Sequence, residues 1–280
     1  MHFTSLLRRA AYSPVGPVLM LPRRARTAGV HLLGELGRSM RWLVTSREWT
    51  NFSCDYTTTG RDAAIEVLSI VTARPREELA GYAAELAQDV ELRDSIRRGI
   101  RAAGYRYGID PGPRYGKRLL HYVIVRATKP SVVVEAGTHL GLGAALLRRA
   151  LERNRIENHH GKLYSVDLVE GHGHLLDRSD PSLAELTISD TVAFLARFQE
   201  VIDFFIHDTT SEQTHERAQF AELQRRLSPN GIVATTWLND PFFEFARARP
   251  GCALLPFHEE PALRFPPGDT MGFAFRHLRV

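Results

Sequence analysis

The stretch Ser131-Val132-Val133-Val134-Glu135-Ala136-Gly137-Thr138-His139-Leu140-Gly141-Leu142-Gly143-Ala144-Ala145-Leu146-Leu147 decides the fold. Val132, Val133 and Val134 are β-branched and uninterrupted, the signature of a parallel strand buried on both faces. The run stops at an acid, Glu135, and passes through Gly137, Gly141 and Gly143 into an apolar helix expected to start near Leu140. Glycines there permit a sharp strand-to-helix turn and let a ligand approach the main chain without meeting a Cβ. The helix then points its unsatisfied N–H groups and positive dipole end into a crevice suited to a nucleotide.

Downstream of the turn, strands and helices alternate. A helix is expected over 144–153, a strand over Leu163–Asp167, a helix over 189–200 and a third strong strand over 201–208. A helix over 216–227, the turn Ser228-Pro229-Asn230-Gly231 and a strand over 232–236 follow. Two extended runs, 253–257 and 271–275, flank Pro266-Pro267-Gly268-Asp269 and predict an antiparallel hairpin at the sheet edge. The fold class is therefore α/β: a Rossmann-like, doubly wound, mostly parallel sheet with a C-terminal antiparallel hairpin.

Upstream, helical spacing of Ala64, Ile65, Leu68 and Val71 predicts a helix from Asp62, broken at Pro75. A second helix is expected from Glu78 to about Ala103, and an amphipathic helix over Leu119–Ala127 feeds the central strand. Residues 104–116 form a loop rich in glycine, proline and tyrosine; folded over the crevice, its Tyr105 and Tyr107 would line a substrate pocket. The division expected is an N-terminal arm and aromatic segment over 1–60, a helical accessory or lid region over 61–115, and the ligand-binding domain over 116–280.

With 280 residues, 44% hydrophobic and 24% charged, the chain has the composition of an ordinary globular protein. Its net charge of +4 is unevenly spread: Arg8, Arg9, Arg23, Arg24, Arg26, Arg38, Arg41 and Arg47 face only Glu35 in the first 47 positions. Pro14, Pro17 and Pro22 are expected to interrupt any long helix there, giving an arm rather than a targeting segment. Arginines confined to that arm, without a basic stripe interleaved with stacking aromatics, argue against a nucleic-acid partner. No apolar run approaches the roughly 20 residues of a membrane span. Cys54 and Cys252, far apart, give no metal spacing and suit a reducing, cytoplasmic setting.

Three acids stand where strands meet the crevice. Glu135 ends the first strand, Asp167 the second, and Asp190 opens the helix before the third. An acid in the place of Glu135 repels a pyrophosphate and attracts an amino group, and one in the place of Asp167 can accept hydrogen bonds from both hydroxyls of a ribose. Asp190, between Ser189 and Thr191, also suits a helix cap.

Glu135-Ala136-Gly137-Thr138-His139-Leu140-Gly141 resembles the first motif of class I S-adenosylmethionine-dependent methyltransferases, in the branch related to catechol-type O-methyltransferases. Tyr164-Ser165-Val166-Asp167-Leu168-Val169 and the loop after it are similar to that branch's second-strand acid. Ile202-Asp203-Phe204-Phe205-Ile206-His207-Asp208 and Leu227-Ser228-Pro229-Asn230-Gly231 are similar to its fourth-strand motif and the turn before its fifth strand. The resemblance implies S-adenosyl-L-methionine as cofactor, with Gly137, Thr138, His139, Gly141 and Glu135 around its methionine part. It implies Asp167 and Leu168 at the ribose, Asp190 and Thr191 at the adenine edge, and His207 and Asp208 facing the sulfonium and the acceptor.

Methyl transfer requires alignment and an outlet for the acceptor's proton, so His139, His174 and His207 are the candidate bases. The pair His172 and His174 could instead ligate a metal, a weak signal without a nearby cysteine. Metal-dependent relatives carry acids at the ends of the fourth and fifth strands, whereas the fifth strand here ends Thr235-Thr236-Trp237, so no catalytic metal is expected. Trp237, Asn239, Phe242 and Phe243 after that strand could wall an apolar small-molecule acceptor.

Two other readings compete with O-methylation of a small molecule. The spacing Gly137-xxx-Gly141-x-Gly143 also fits a short-chain NAD(P)-dependent reductase, although Glu135 is misplaced for that group. A catalytically silent methyltransferase-like binding protein fits the missing fifth-strand acid. Association into a homo-oligomer is left open.

Overall fold

The computed structural model describes residues 18, 20–48, 54–103, 109–110, 112, 114–262 and 268–276. Strands β1 (Val132–Ala136), β2 (Lys162–Asp167), β3 (Ala184–Ile188), β4 (Ile202–His207), β5 (Leu227–Thr235), β6 (Cys252–His258) and β7 (Thr270–Arg276) form one sheet. Its order is β3-β2-β1-β4-β5-β7-β6. The first five strands run parallel, and β7 and β6 close the edge antiparallel, β6 pairing β7 from Cys252 opposite Arg276 to His258 opposite Thr270. This is the doubly wound α/β fold with the expected C-terminal hairpin.

β3 is an addition to the sequence expectation. It is an edge strand whose residues, Ala184 apart, are partly buried or exposed, so it lacks the continuous apolar run that marks β1 and β4. The turn 228–231 is also absorbed into β5, whose pairing with β4 shifts register between Ile202 and Phe204.

Alternation along β1 divides the core. Val133 faces a layer containing α5 (Lys117–Thr128) and α6 (Leu142–Ile156), while Val132, Val134 and Ala136 face α7 (Thr191–Arg197), α8 (Gln213–Arg226) and α9 (Asp240–Ala248). α5, expected to be amphipathic, has Leu120 through Ala127 all buried, because α2 (Thr58–Thr72) and α3 (Arg76–Gln88) cover the side it turns from the sheet, while α4 (Val90–Ala102) packs against α6.

The single helix expected to reach Ala103 is two. Asp89 ends α3 and caps α4, its carboxylate accepting from the Leu92 N–H at 2.9 Å and from Arg149 and Arg153 of α6 at 2.7 Å each. Those guanidiniums hold the Asp89 carboxyl well below the ordinary range against the opposing effect of burial.

The expectation of an interrupted arm gives way to α1 (Leu21–Thr45), a 25-residue helix. Pro22 occupies its first turn, where a missing N–H costs nothing; Pro14 and Pro17 lie outside the described residues. Leu32, Leu33, Leu36, Met40, Leu43 and Val44 of α1 are exposed. No helix among the described residues is long and apolar enough to cross a membrane.

Candidate functional site

A cavity of about 410 Å³ opens at the carboxyl ends of β1 and β4, where open α/β sheets bind ligands. The glycine turn forms one wall. Gly137 has φ of +95°, and a Cβ there would lie 2.1 Å from the Asp208 carbonyl oxygen, so only glycine lets β1 and β4 close up at this point. At Gly143 a Cβ would meet Glu135 Oε1 at 2.2 Å. The first turn of α6 thus lies directly over the Glu135 carboxyl.

Glu135 is buried and accepts from Ser165 Oγ at 2.6 Å, and Ser165 in turn lies 2.7 Å from Thr138 Oγ1. Burial pushes its carboxyl up to about 8, and the Ser165 hydrogen bond offsets only part of that. Across the cavity Asp208 behaves oppositely. Although burial pushes it up, Lys117 and Arg118 with the Thr236 hydroxyl hold it down at about 2. Lys117 Nζ reaches Asp208 Oδ1 at 2.9 Å, and Thr236 Oγ1 donates to the same oxygen at 3.0 Å.

A third wall comes from the chain's ends. Residues 55–57 pair with 260–262, the Thr57 N–H donating to Glu260 O at 2.9 Å and the Ala262 N–H to Asp55 O at 2.7 Å. That pairing brings Cys54, Glu259 and Asp269 to the rim. Glu259 accepts from Tyr56 Oη at 2.6 Å, and burial raises its carboxyl above the ordinary value.

Residues 134–235 match a family model described as a methyltransferase domain. Over that span the chain is similar to methyltransferase domains. No curated protein matches the chain in sequence. Among solved structures, a methyltransferase from Geobacter sulfurreducens is 18% identical, over 66% of this chain and 90% of that one, with a TM-score of 0.47. An O-methyltransferase from Bacillus cereus in complex with SAH is 16% identical over 71% and 100%, with a TM-score of 0.48. The O-methyltransferase TomG from Streptomyces achromogenes, involved in tomaymycin synthesis and in complex with SAM, is 15% identical over 70% and 96%, with a TM-score of 0.49. The match of the domain favours methyl transfer over the nicotinamide-dependent reductase.

The matched span brings Glu135, Gly137, Thr138, His139 and Asp208 together around the cavity. Gly141, with φ of +87°, packs against Gly173 beside them. Asp167 lies at the end of β2 with its oxygens already engaged: Oδ2 accepts from the His139 N–H at 2.7 Å, and Oδ1 from the Val169 N–H at 2.9 Å, with His172 Nδ1 at 3.0 Å. Leu168 beside it is exposed. Asp190 caps α7 through the Ala193 N–H at 2.9 Å and contacts His215 Nε2 at 2.8 Å, while Thr191 is buried.

Several expected site residues stand elsewhere. His207 is fully buried on the opposite face of the sheet, because β4 alternates and Phe204 and Ile206, not His207, face α5. Its Nε2 lies 2.8 Å from Glu216 Oε1 and its Nδ1 3.1 Å from Gln219, both on α8. His174 lies on the exposed loop after β2, outside the cavity lining. Asn239 caps α9 and donates to Glu216 rather than entering the cavity. Trp237 is partly exposed, its indole N–H donating to Thr209 O at 3.1 Å. Tyr105 and Tyr107 lie outside the described residues. Among the described residues, no group of three or more His, Cys, Asp or Glu side chains converges to hold a metal ion.

Sequence reasoning missed Cys54, Lys117, Arg118, Glu259 and Asp269. Lys117 and Arg118 carried one usable signal: they directly follow Gly116 and open a helix feeding the central strand, so they point toward the crevice end of the sheet.

Proposed function

We propose that the chain transfers a methyl group from S-adenosyl-L-methionine to a small-molecule acceptor at oxygen, without a catalytic metal. The observation that carries this reading is the buried Glu135 carboxyl set beneath the first turn of α6, facing Asp208 across a cavity within the methyltransferase span. The amino-acid end of the cofactor is a zwitterion, and this cavity offers it Glu135 for the ammonium and Arg118 for the carboxylate. In this reading Gly137, Thr138, His139 and Gly141 surround that end, Asp167 and Leu168 take the ribose, and Asp190 with Thr191 borders the adenine.

When bound, the cofactor supplies an electrophilic methyl on a sulfonium. The carbon–sulfur bond breaks as the acceptor oxygen forms its bond to the methyl, the sulfur leaves as a neutral thioether and the acceptor's proton passes to water. The chain's own contribution is placement and charge. Lys117, held by Asp208 at the cavity wall, supplies a cation that lowers the cost of ionising an acceptor hydroxyl. A divalent ion at Asp208 would have to compete with Lys117, whose ammonium already neutralises that carboxylate at Oδ1. The two free cysteines agree with a reducing, cytoplasmic setting.

Calorimetry with S-adenosylmethionine and with NADPH, followed by detection of S-adenosylhomocysteine in the presence of phenolic acceptors, tests the proposal. Binding of the first ligand alone, with turnover, is expected. Binding of NADPH alone sinks it, and cofactor binding without turnover on any acceptor would favour the silent binding protein.

A further inference from the structure

A second cavity, of about 380 Å³, adjoins the first and is not used by the chemistry above. Cys54 and Gly116 line both cavities, and the Gly116 N–H donates to the Cys54 carbonyl at 2.8 Å, so one backbone pair stands between them. Gly116 has φ of +47°, and a Cβ there would lie 3.0 Å from Cys54 Sγ.

The second cavity is lined by Arg61 of α2, Arg93 and Arg97 one turn apart on α4, and Arg114, with Asp55 the only carboxylate among its lining residues. The guanidiniums that hold the fold together are saturated: Arg149 meets Asp89 at 2.7 Å and Glu91 at 2.6 Å, and Arg126 meets Glu157 at 2.6 Å. The four around the cavity are less heavily paired. Arg93 donates to the Ala87 carbonyl and interacts with Tyr115, and among the described residues the four reach only two carboxylates, Asp94 at 3.4 Å from Arg97 and Asp55 at 3.6 Å from Arg114. Leu86, Leu119, Tyr56 and Tyr115 supply an apolar and aromatic side to the same space.

Four like charges around one cavity repel one another unless an anion joins them, and guanidiniums are suited to carboxylate and phosphate by their forked donors. We propose that this cavity holds the anionic end of the methyl acceptor, so that the acceptor is a hydroxylated small molecule, aromatic in body, bearing a carboxylate or phosphate. The proposal rests on the methyl-transfer reading. With the anion held by Arg61, Arg93, Arg97 and Arg114, the acceptor hydroxyl extends past Gly116 toward Lys117. The volume suits a one- or two-ring acid rather than a polymer.

The test uses the full chain saturated with S-adenosylhomocysteine and titrated with 4-hydroxybenzoate, 4-hydroxyphenyl phosphate and neutral 4-hydroxybenzamide. At least one anion is expected to bind about tenfold or more tightly than the amide, and which of the two does so identifies the preferred headgroup. Arg93→Gln combined with Arg97→Gln is expected to abolish that preference while leaving S-adenosylhomocysteine affinity and the melting temperature unchanged; Arg61→Gln serves as a second, single-site variant. Equal affinity for the amide, no binding of either anion, or anion binding untouched by all three substitutions overturns the proposal. Displacement of the anions by a single-stranded RNA at lower concentration overturns it in favour of a nucleic-acid acceptor. Failure of S-adenosylhomocysteine itself to bind refutes the methyl-transfer reading, and so is distinguishable from failure of the anion site alone.

Discussion

Glu135→Gln removes one titratable group from the cavity, and its consequences follow from the raised carboxyl. At about 8, with burial the main cause, the Glu135 carboxyl is about 1% ionised at pH 6 and about 10% at pH 7. An ammonium bound beside it selects the ionised form. Affinity for S-adenosylmethionine should therefore rise about tenfold from pH 6 to pH 7 and level off near 8, where the ligand's own amino group begins to titrate. Binding at pH 7 should release about 0.9 proton, read by calorimetry in two buffers of different ionisation enthalpy. In Glu135→Gln the slope and the proton release should vanish, and affinity at pH 8 should fall at least about tenfold. The ligand-free protein should show the complementary effect. Because the folded value lies above the ordinary 4.5, ionisation of Glu135 costs stability progressively as pH rises from about 4.5 to 8, roughly 4 kcal/mol at most. The glutamine variant should be the more stable protein at pH 8 and about equal to the parent at pH 4. A parent whose cofactor affinity is flat between pH 6 and 8, or a variant that keeps the slope, would refute the assignment of the ammonium to Glu135.

Lys117→Met takes the cation away from Asp208 and should lower kcat about a hundredfold while changing cofactor Kd by no more than about threefold, measured by steady-state kinetics and calorimetry. Gly137→Ala sets a Cβ 2.1 Å from the Asp208 carbonyl oxygen in a backbone conformation alanine resists. It should cost at least about 2 kcal/mol in denaturant unfolding and abolish cofactor binding. His207→Ala leaves the buried Glu216 without its imidazole and should cost about 3 kcal/mol of stability, yet kcat of the folded fraction should stay within about twofold of the parent. A hundredfold loss of kcat in a stable His207 variant would return the histidine to the chemistry.

What the sequence discloses about this chain follows from how local each signal is. β1 and β4 are continuous apolar runs, and the glycines after β1 punctuate them, so strand, turn and crevice could be read directly. Asp208 and His207 are adjacent in sequence but lie on opposite faces of the sheet, and period-two counting from Phe204 and Phe205 already separates them. Imidazole chemistry alone singles out His207, whereas the alternation of β4 turns it away from the crevice. β3 escaped because an edge strand half in solvent carries little apolar signal, and Asp89 escaped because a cap inside a helical period looks like one more polar position. Lys117, Cys54 and Glu259 are a different case. They reach the cavity from a helix start, from the segment before α2 and from the loop after β6, through pairings such as Thr57 with Glu260 that no periodicity announces. In the proposed reading, most of what meets the cofactor's amino-acid end is written into one strand and one turn, with Arg118 added from the start of α5. The part proposed to meet the acceptor is assembled from segments 54–56, 93–97 and 114–119, which lie outside the matched span. On that proposal, acceptor chemistry can change through those segments while β1 and the turn after it stay as they are.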